Sequence, residues 1–180
     1  MIRLTIPPEP VLRAARAAAA VSMNIYGSDP SAAISEVARI SGRPVLVTEF
    51  SFRSQDAGLP NSKGAGPRVE TQEQRAQSYR TYVEKIAALP EVVGFHWFQW
   101  ADQPREGRWD GEDSNYGLVD IQDHPYPQLT QVVTEVNRRA TQIHELAAPG
   151  RSVQPSRQSG RRSHAVIRKS SGRPSPSAMR

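Results

Sequence analysis

The chain contains no cysteine, which excludes a disulfide framework and any thiolate metal site and leaves the redox compartment open. It also lacks an apolar run near the roughly 18 to 20 residues that a membrane-crossing helix needs. The small-residue run Ala17 to Val21 follows Arg13 and Arg16 and is too short for the apolar part of a signal peptide. The opening Met1-Ile2-Arg3-Leu4, with Pro7-Pro8-Glu9-Pro10 after it, likewise lacks the basic-then-apolar order of such a leader. No membrane partner is expected, and localisation stays unknown. Acidic residues are missing from Arg151 to Arg180, where seven Arg and one Lys stand alone. With those set aside, 15 Lys and Arg face 18 Asp and Glu, a net charge of −3. The formal +5 of the whole chain is therefore a property of its tail, and nucleic acid is an unfavoured partner for the remainder. Ser, Arg, Pro and Gly dominate that tail, which cannot bury enough apolar surface to offset its ordering entropy. Residues 149–180 are expected to be a disordered basic tail. Such a tail can touch nucleic acid or anionic surfaces, although a solvated extension is the simpler reading.

The remaining residues alternate strand and helix patterns. Glu9 to Ala19 is alanine-rich and helix-forming. Val21 to Tyr26 reads as a strand closing on Gly27, and Asp29-Pro30 opens a helix with Ile34, Val37, Ala38 and Ile40 as its stripe before Gly42 ends it. Val45-Leu46-Val47 is a short β-branched run of the kind found in buried parallel strands. A long polar loop runs from Ser51 to Val69, a length that in compact domains is usually functional or disordered. Thr71 and Gln74 make a capping box for a helix with Ala76, Tyr79, Val83 and Ile86 at 3-and-4 spacing. Val92 to Trp100 reads as a third, aromatic strand. The acid-rich loop Ala101 to Gly117 and an extended piece, Leu118 to Ile121, lead to a helix opened by Pro127. Strand, helix, strand with short links is the order of a parallel α/β unit.

One carboxylate stands out because it ends the apolar run. Alternation along a strand puts Glu49 on the face of Val45 and Val47. At the C-terminal end of a parallel strand that is a position where catalytic groups occur. Phe95 and Phe98 are expected to fill the core, and His96 to be structural. Asp110, Glu112 and Asp113 offer oxygen ligands but fit no established cation-loop spacing, so neither a metal nor another cofactor is expected.

Four stretches together, Asn24-Ile25-Tyr26, Val47-Thr48-Glu49-Phe50, Gly94 to Pro104 (GFHWFQWADQP) and Asn115 to Asp120 (NYGLVD), resemble the C-terminal part of a retaining glycoside hydrolase. The resemblance is to the agarase-like and β-galactosidase-like enzymes of the large (β/α)8 clan, over about residues 20 to 145. It implies that Glu49 is the catalytic nucleophile at the end of the seventh strand. A retaining hydrolase needs a second, protonated carboxyl about 5 Å away, normally from an Asn-Glu pair on the fourth strand, and this chain shows no such pair. Asn24 and Tyr26 match sixth-strand positions, where the tyrosine would hydrogen-bond the nucleophile and keep it ionised. Trp97 matches the eighth-strand tryptophan that floors the sugar subsite, with Gln99, Trp100 and Asp102 at the rim as further substrate-binding residues.

The resulting expectation is an α/β fold: residues 1–148 as a partial (β/α)8 TIM barrel, strands six to eight with their helices. An intact barrel of this type takes about 250 residues. A truncated gene product, a misplaced start or one half of a split enzyme would each account for the shortfall. The expected partners are an oligo- or polysaccharide with β-linked galactose or glucose, and the missing N-terminal half of the barrel. The isolated chain is expected to be inactive on aryl β-glycosides. It is also expected to self-associate, because inner faces carrying Val45, Val47 and Trp97 would be left open. The alternative is a non-catalytic relic or carbohydrate-binding remnant.

Overall fold

The computed structural model describes residues 6–147, so the tail expected at 149–180 lies outside the described residues. Helix α1 (Glu9–Ala14) starts behind Pro8 and continues as one 3-10 turn, Ala15–Ala17, two residues short of the expected Ala19. Strand β1 (Val21–Asn24) follows, ending before Ile25 and Tyr26, which were expected to extend it. The Asp29 carboxylate accepts the Ser31 N–H at 3.1 Å and so satisfies one of the free donors at the start of α2 (Ser31–Ser41). Gly42 ends that helix in the left-handed conformation, φ 64°, which glycine adopts without steric cost. Strand β2 (Val45–Phe50) is followed by β3 (Arg53–Ser54) and β4 (Arg68–Val69), a small parallel pair. The polar loop Ser51 to Val69 is thus structured. Thr71 Oγ1 accepts the Gln74 N–H at the start of α3 (Gln72–Ala87), and Gln74 Oε1 accepts from Glu70 N. Strand β5 (Val92–Trp97) and helix α4 (Pro127–Ala147) complete the order.

The main sheet has the order β1-β2-β5 with every pair parallel. Helix α2 links β1 to β2 and α3 links β2 to β5, as parallel neighbours require. Met23, Ile25, Val45, Val47, Phe50 and Val92 join Leu12, Ile34, Val37, Tyr82, Val83, Ile86, Leu129 and Val136 in a single buried cluster. Phe50 stacks on Tyr82 with ring centroids 4.3 Å apart. Full burial of such a side chain stabilises by about 1.5–3 kcal/mol.

That cluster corrects the expected facing of the sheet. Val45 and Val47 are fully buried on the helix-covered side, not on an open inner one. The opposite side carries Ser22, Asn24 and His96, all exposed, with Leu46 and Thr48 half-buried. Trp97 also packs against the helix-side cluster. Apart from Val93, which is exposed, the uncovered face is more polar than expected, and the apolar residues invoked for self-association are already covered.

Candidate active site

The end of β2 departs from regular pairing. On one side Met23 lies opposite Val47 and Asn24 opposite Glu49. On the other, Val47 lies opposite Phe95 and Phe50 opposite Trp97. An extra residue is accommodated between Val47 and Phe50, and such an irregularity re-aims side chains. Phe50 therefore returns to the helix-covered core while Glu49 stays half-buried. Alternation alone, which assigned Glu49 to the face of Val45 and Val47, fails at this step.

The site's central contact joins neighbouring strand ends. The Tyr26 hydroxyl donates to Glu49 Oε2 at 2.8 Å, and Thr48 Oγ1 donates to Asn24 Oδ1 at 2.8 Å. The backbone fixes the frame, with Ile25 N–H donating to Glu49 O at 2.8 Å and Phe98 N–H to Phe50 O at 3.0 Å. Burial, and then the hydrogen bond and charge of Glu49, push the Tyr26 phenol far above its ordinary value. Tyr26 is accordingly a neutral hydrogen-bond donor near neutral pH. Among the described residues no cation lies within ion-pair distance of Glu49 and no second carboxyl hydrogen-bonds to it.

Phe98 is the aromatic residue at this contact. Its ring meets Tyr26 edge-on at 6.4 Å and Tyr116 at 5.1 Å. Core filling is the ordinary expectation for such a phenylalanine, whereas here the ring is half-buried beside Tyr26. Trp97 packs differently: its ring contacts Phe50 and Tyr79 at 5.4 and 5.5 Å, Arg75 lies 5.3 Å from its centre, and its indole N–H donates to Tyr116 O at 2.9 Å. Trp100 is 66% exposed, and its carbonyl accepts from Leu118 and Val119. Gln99 Nε2 donates to Ala101 O at 2.8 Å.

Asp102, expected at the rim, is buried instead. Both its oxygens are occupied, Oδ1 by Gly117 N–H at 2.7 Å and Asn115 Nδ2 at 2.8 Å, Oδ2 by the Tyr126 hydroxyl at 2.5 Å and Asn115 Nδ2 at 3.0 Å. Burial raises its carboxyl above the ordinary range, only partly countered by those bonds and by the charge of Arg75. Arg75 is itself fully buried, and desolvation pulls its guanidinium down to about 10, which leaves it charged at neutral pH.

Asn115 carries the network onward. Its Oδ1 accepts from Ser54 N at 3.2 Å, Ser54 Oγ at 2.8 Å and Gln72 Nε2 at 3.0 Å, and its N–H donates to Asn61 Oδ1 at 2.8 Å. Asn61 in turn donates to Ser54 O at 2.8 Å. The two long loops flanking the strand ends are thereby fastened together by buried polar groups. Gly117 is required where they meet, since a Cβ there would lie 2.0 Å from Val119 O and 2.4 Å from Asp102 N.

No family model matches the chain. It is 37% identical over 136 residues to beta-agarase B of Vibrio sp. (strain JT0107), an alignment taking in 74% of this chain and 14% of that protein. Beta-agarase A of the same strain is 36% identical over 138 residues, 72% of this chain and 14% of that protein. The solved structure of an exo-beta-agarase superposes with a TM-score of 0.70 at 31% identity, covering 76% of this chain and 18% of that one. The chain thus spans about one seventh of the length of these curated relatives.

Proposed function

We propose that this chain, which matches part of a glycoside hydrolase, contributes the nucleophile Glu49 to a retaining hydrolase of a β-linked galactose polymer. The observation that carries the reading is the 2.8 Å hydrogen bond from Tyr26 to Glu49 at the ends of adjacent parallel strands. In the mechanism the ionised Glu49 attacks the anomeric carbon. The bond to the leaving sugar's oxygen breaks as an acid protonates it, and water then hydrolyses the glycosyl ester, so two inversions give retention. Tyr26 holds one carboxylate oxygen and leaves the other free to attack. Phe98, half-buried beside Tyr26, supplies an apolar ring edge toward the sugar, and Asn24 and Thr48 supply polar groups beside it. Trp97 and Asp102 contribute by holding the loops, and Gln99 and Trp100 as further substrate-binding residues.

The sheet is read as strands six to eight of a (β/α)8 barrel, residues 1–148 forming one unit and 149–180 an appended tail. The protonated carboxyl that must stand about 5 Å from the nucleophile would then come from outside the described residues, on a segment carrying the other strands. The second reading, a carbohydrate-binding remnant without catalysis, is favoured by one observation: among the described residues no second carboxyl hydrogen-bonds to Glu49. Supplying the chain with a complementing barrel segment and measuring reducing ends released from agarose tests the choice. Release that vanishes in Glu49→Gln supports the hydrolase. Binding without release, unaltered in Glu49→Gln, supports the remnant.

A further inference from the structure

Tyr26 is also a wall of a cavity of about 480 Å³ that it shares with Arg53, Asn61, Ser62, Gly66 and Arg68. That volume falls in the range of small-ligand pockets. Arg53 is 7% exposed. Its Nη1 donates to Ser114 Oγ at 3.0 Å and to Asn61 O at 3.5 Å, its Nη2 donates to Gly66 O at 3.0 Å, and its Nε has no partner. Among the described residues neither Arg53 nor Arg68 has a carboxylate within ion-pair distance. The carboxylates that act on Arg53 through space, Glu112 and Asp113, are engaged elsewhere. Glu112 accepts from Arg108 at 2.9 Å and Gln103 at 2.8 Å, and Asp113 accepts from Ser62 Oγ at 2.5 Å and Lys63 N at 3.0 Å. A buried cation is normally paired; Arg53 has no such pair, and the exposed Arg68 lines the same cavity. Gly66, at φ +85°, keeps the backbone close, since a Cβ there would lie 2.5 Å from Ser51 O and 3.3 Å from the Tyr26 ring.

We propose that this cavity is a subsite for the anionic substituent of a sugar, a sulfate ester or a carboxylate, adjoining Glu49 through Tyr26. The inference rests on the reading of Glu49 as the centre of a carbohydrate site and extends it to the class of substrate: a galactan bearing anions, held by planar guanidinium donors. The whole 180-residue chain is titrated with galactose 6-sulfate, galacturonate, galactose and inorganic sulfate, following the amide signals of Gly64 and Gly66. Galactose 6-sulfate or galacturonate should bind about tenfold more tightly than galactose, and Arg68→Gln should remove about that factor. Arg68 is exposed, so the variant keeps its fold, which circular dichroism verifies, and the basic tail is identical in both proteins and cancels. Whichever acidic sugar binds more tightly identifies the anion. Equal binding of galactose and both acidic sugars, inorganic sulfate binding as tightly as the sugars, or an unchanged Arg68→Gln would overturn the subsite. Agarose hydrolysis that depends on Glu49 while these titrations fail would leave the hydrolase reading intact and sink only this inference.

Discussion

Truncation of Asn115 to alanine removes the group on which the two loops around the strand ends converge. Five side-chain hydrogen bonds disappear: three to Oδ1, from Ser54 N, Ser54 Oγ and Gln72 Nε2, and two from Nδ2 to the Asp102 carboxylate. Asp102 keeps Gly117 N–H and the Tyr126 hydroxyl but loses a donor to a buried charge, a loss of about 1.5–3 kcal/mol. Ser54, itself fully buried, is left with an unpartnered N–H, which costs about 1–3 kcal/mol. The Gln72 amide retains its contact with Ser54 Oγ at 2.5 Å and adds little. The sum, about 2.5–6 kcal/mol, is a large share of the about 5–15 kcal/mol by which a domain is stable. Urea unfolding of the full chain, followed by tryptophan fluorescence, reads the change as a shift in midpoint at constant slope. Asn115→Asp should be worse still, because it sets a second carboxylate against Asp102. A shift equivalent to less than about 1 kcal/mol in Asn115→Ala would refute the claim that this network holds the loops.

Two further outcomes follow from the same contacts. Tyr26→Phe deletes one hydrogen bond to a charged group and should lower the rate of glycosylation of Glu49 about 10- to 100-fold with little change in sugar affinity; an equal loss in affinity would mean that Tyr26 binds sugar instead. Burial raises the Asp102 carboxyl in the folded chain above its unfolded value. Between those two values the folded chain holds a proton that the unfolded chain does not, so this contribution is present at acid pH and is lost as pH rises through the folded value. Urea midpoints from about pH 4 to 7, compared with Asp102→Asn, should show the component in the parent alone, and one of opposite sign would contradict it.

The helices and the three parallel strands were legible because each carries a local signal: the Thr71-Gln74 cap, Gly42 as a stop, the Val45-Leu46-Val47 run. The pairing of Tyr26 with Glu49 came through the resemblance, and the hydrogen bond agrees with it. The facing of Glu49 was misread because period-two alternation holds only while the ladder is regular, and the extra residue before Phe50 resets it. The loop from Ser51 to Val69 looked irregular because its partners lie far along the chain, Arg53 with Ser114 and Ser54 with Asn115, and no local periodicity announces such pairs. Trp97 and Phe98 are adjacent and both aromatic, so composition could not tell which packs on Tyr79 and which lies against Tyr26. The burial of Asp102 is hidden from the sequence for a similar reason, since its partners Asn115, Gly117 and Tyr126 meet it only when the chain returns upon itself.

A bond between Glu49 and sugar can be detected by covalent trapping. A 2-fluoro-β-galactoside with a dinitrophenolate leaving group needs no acid to protonate the departing oxygen, so the nucleophile can be labelled even where the second carboxyl is absent. Mass spectrometry of the digested chain should find one fluorogalactosyl group, on the peptide containing Glu49, and none in Glu49→Gln. An unlabelled parent chain, or a label that persists in Glu49→Gln, would exclude Glu49 as the nucleophile.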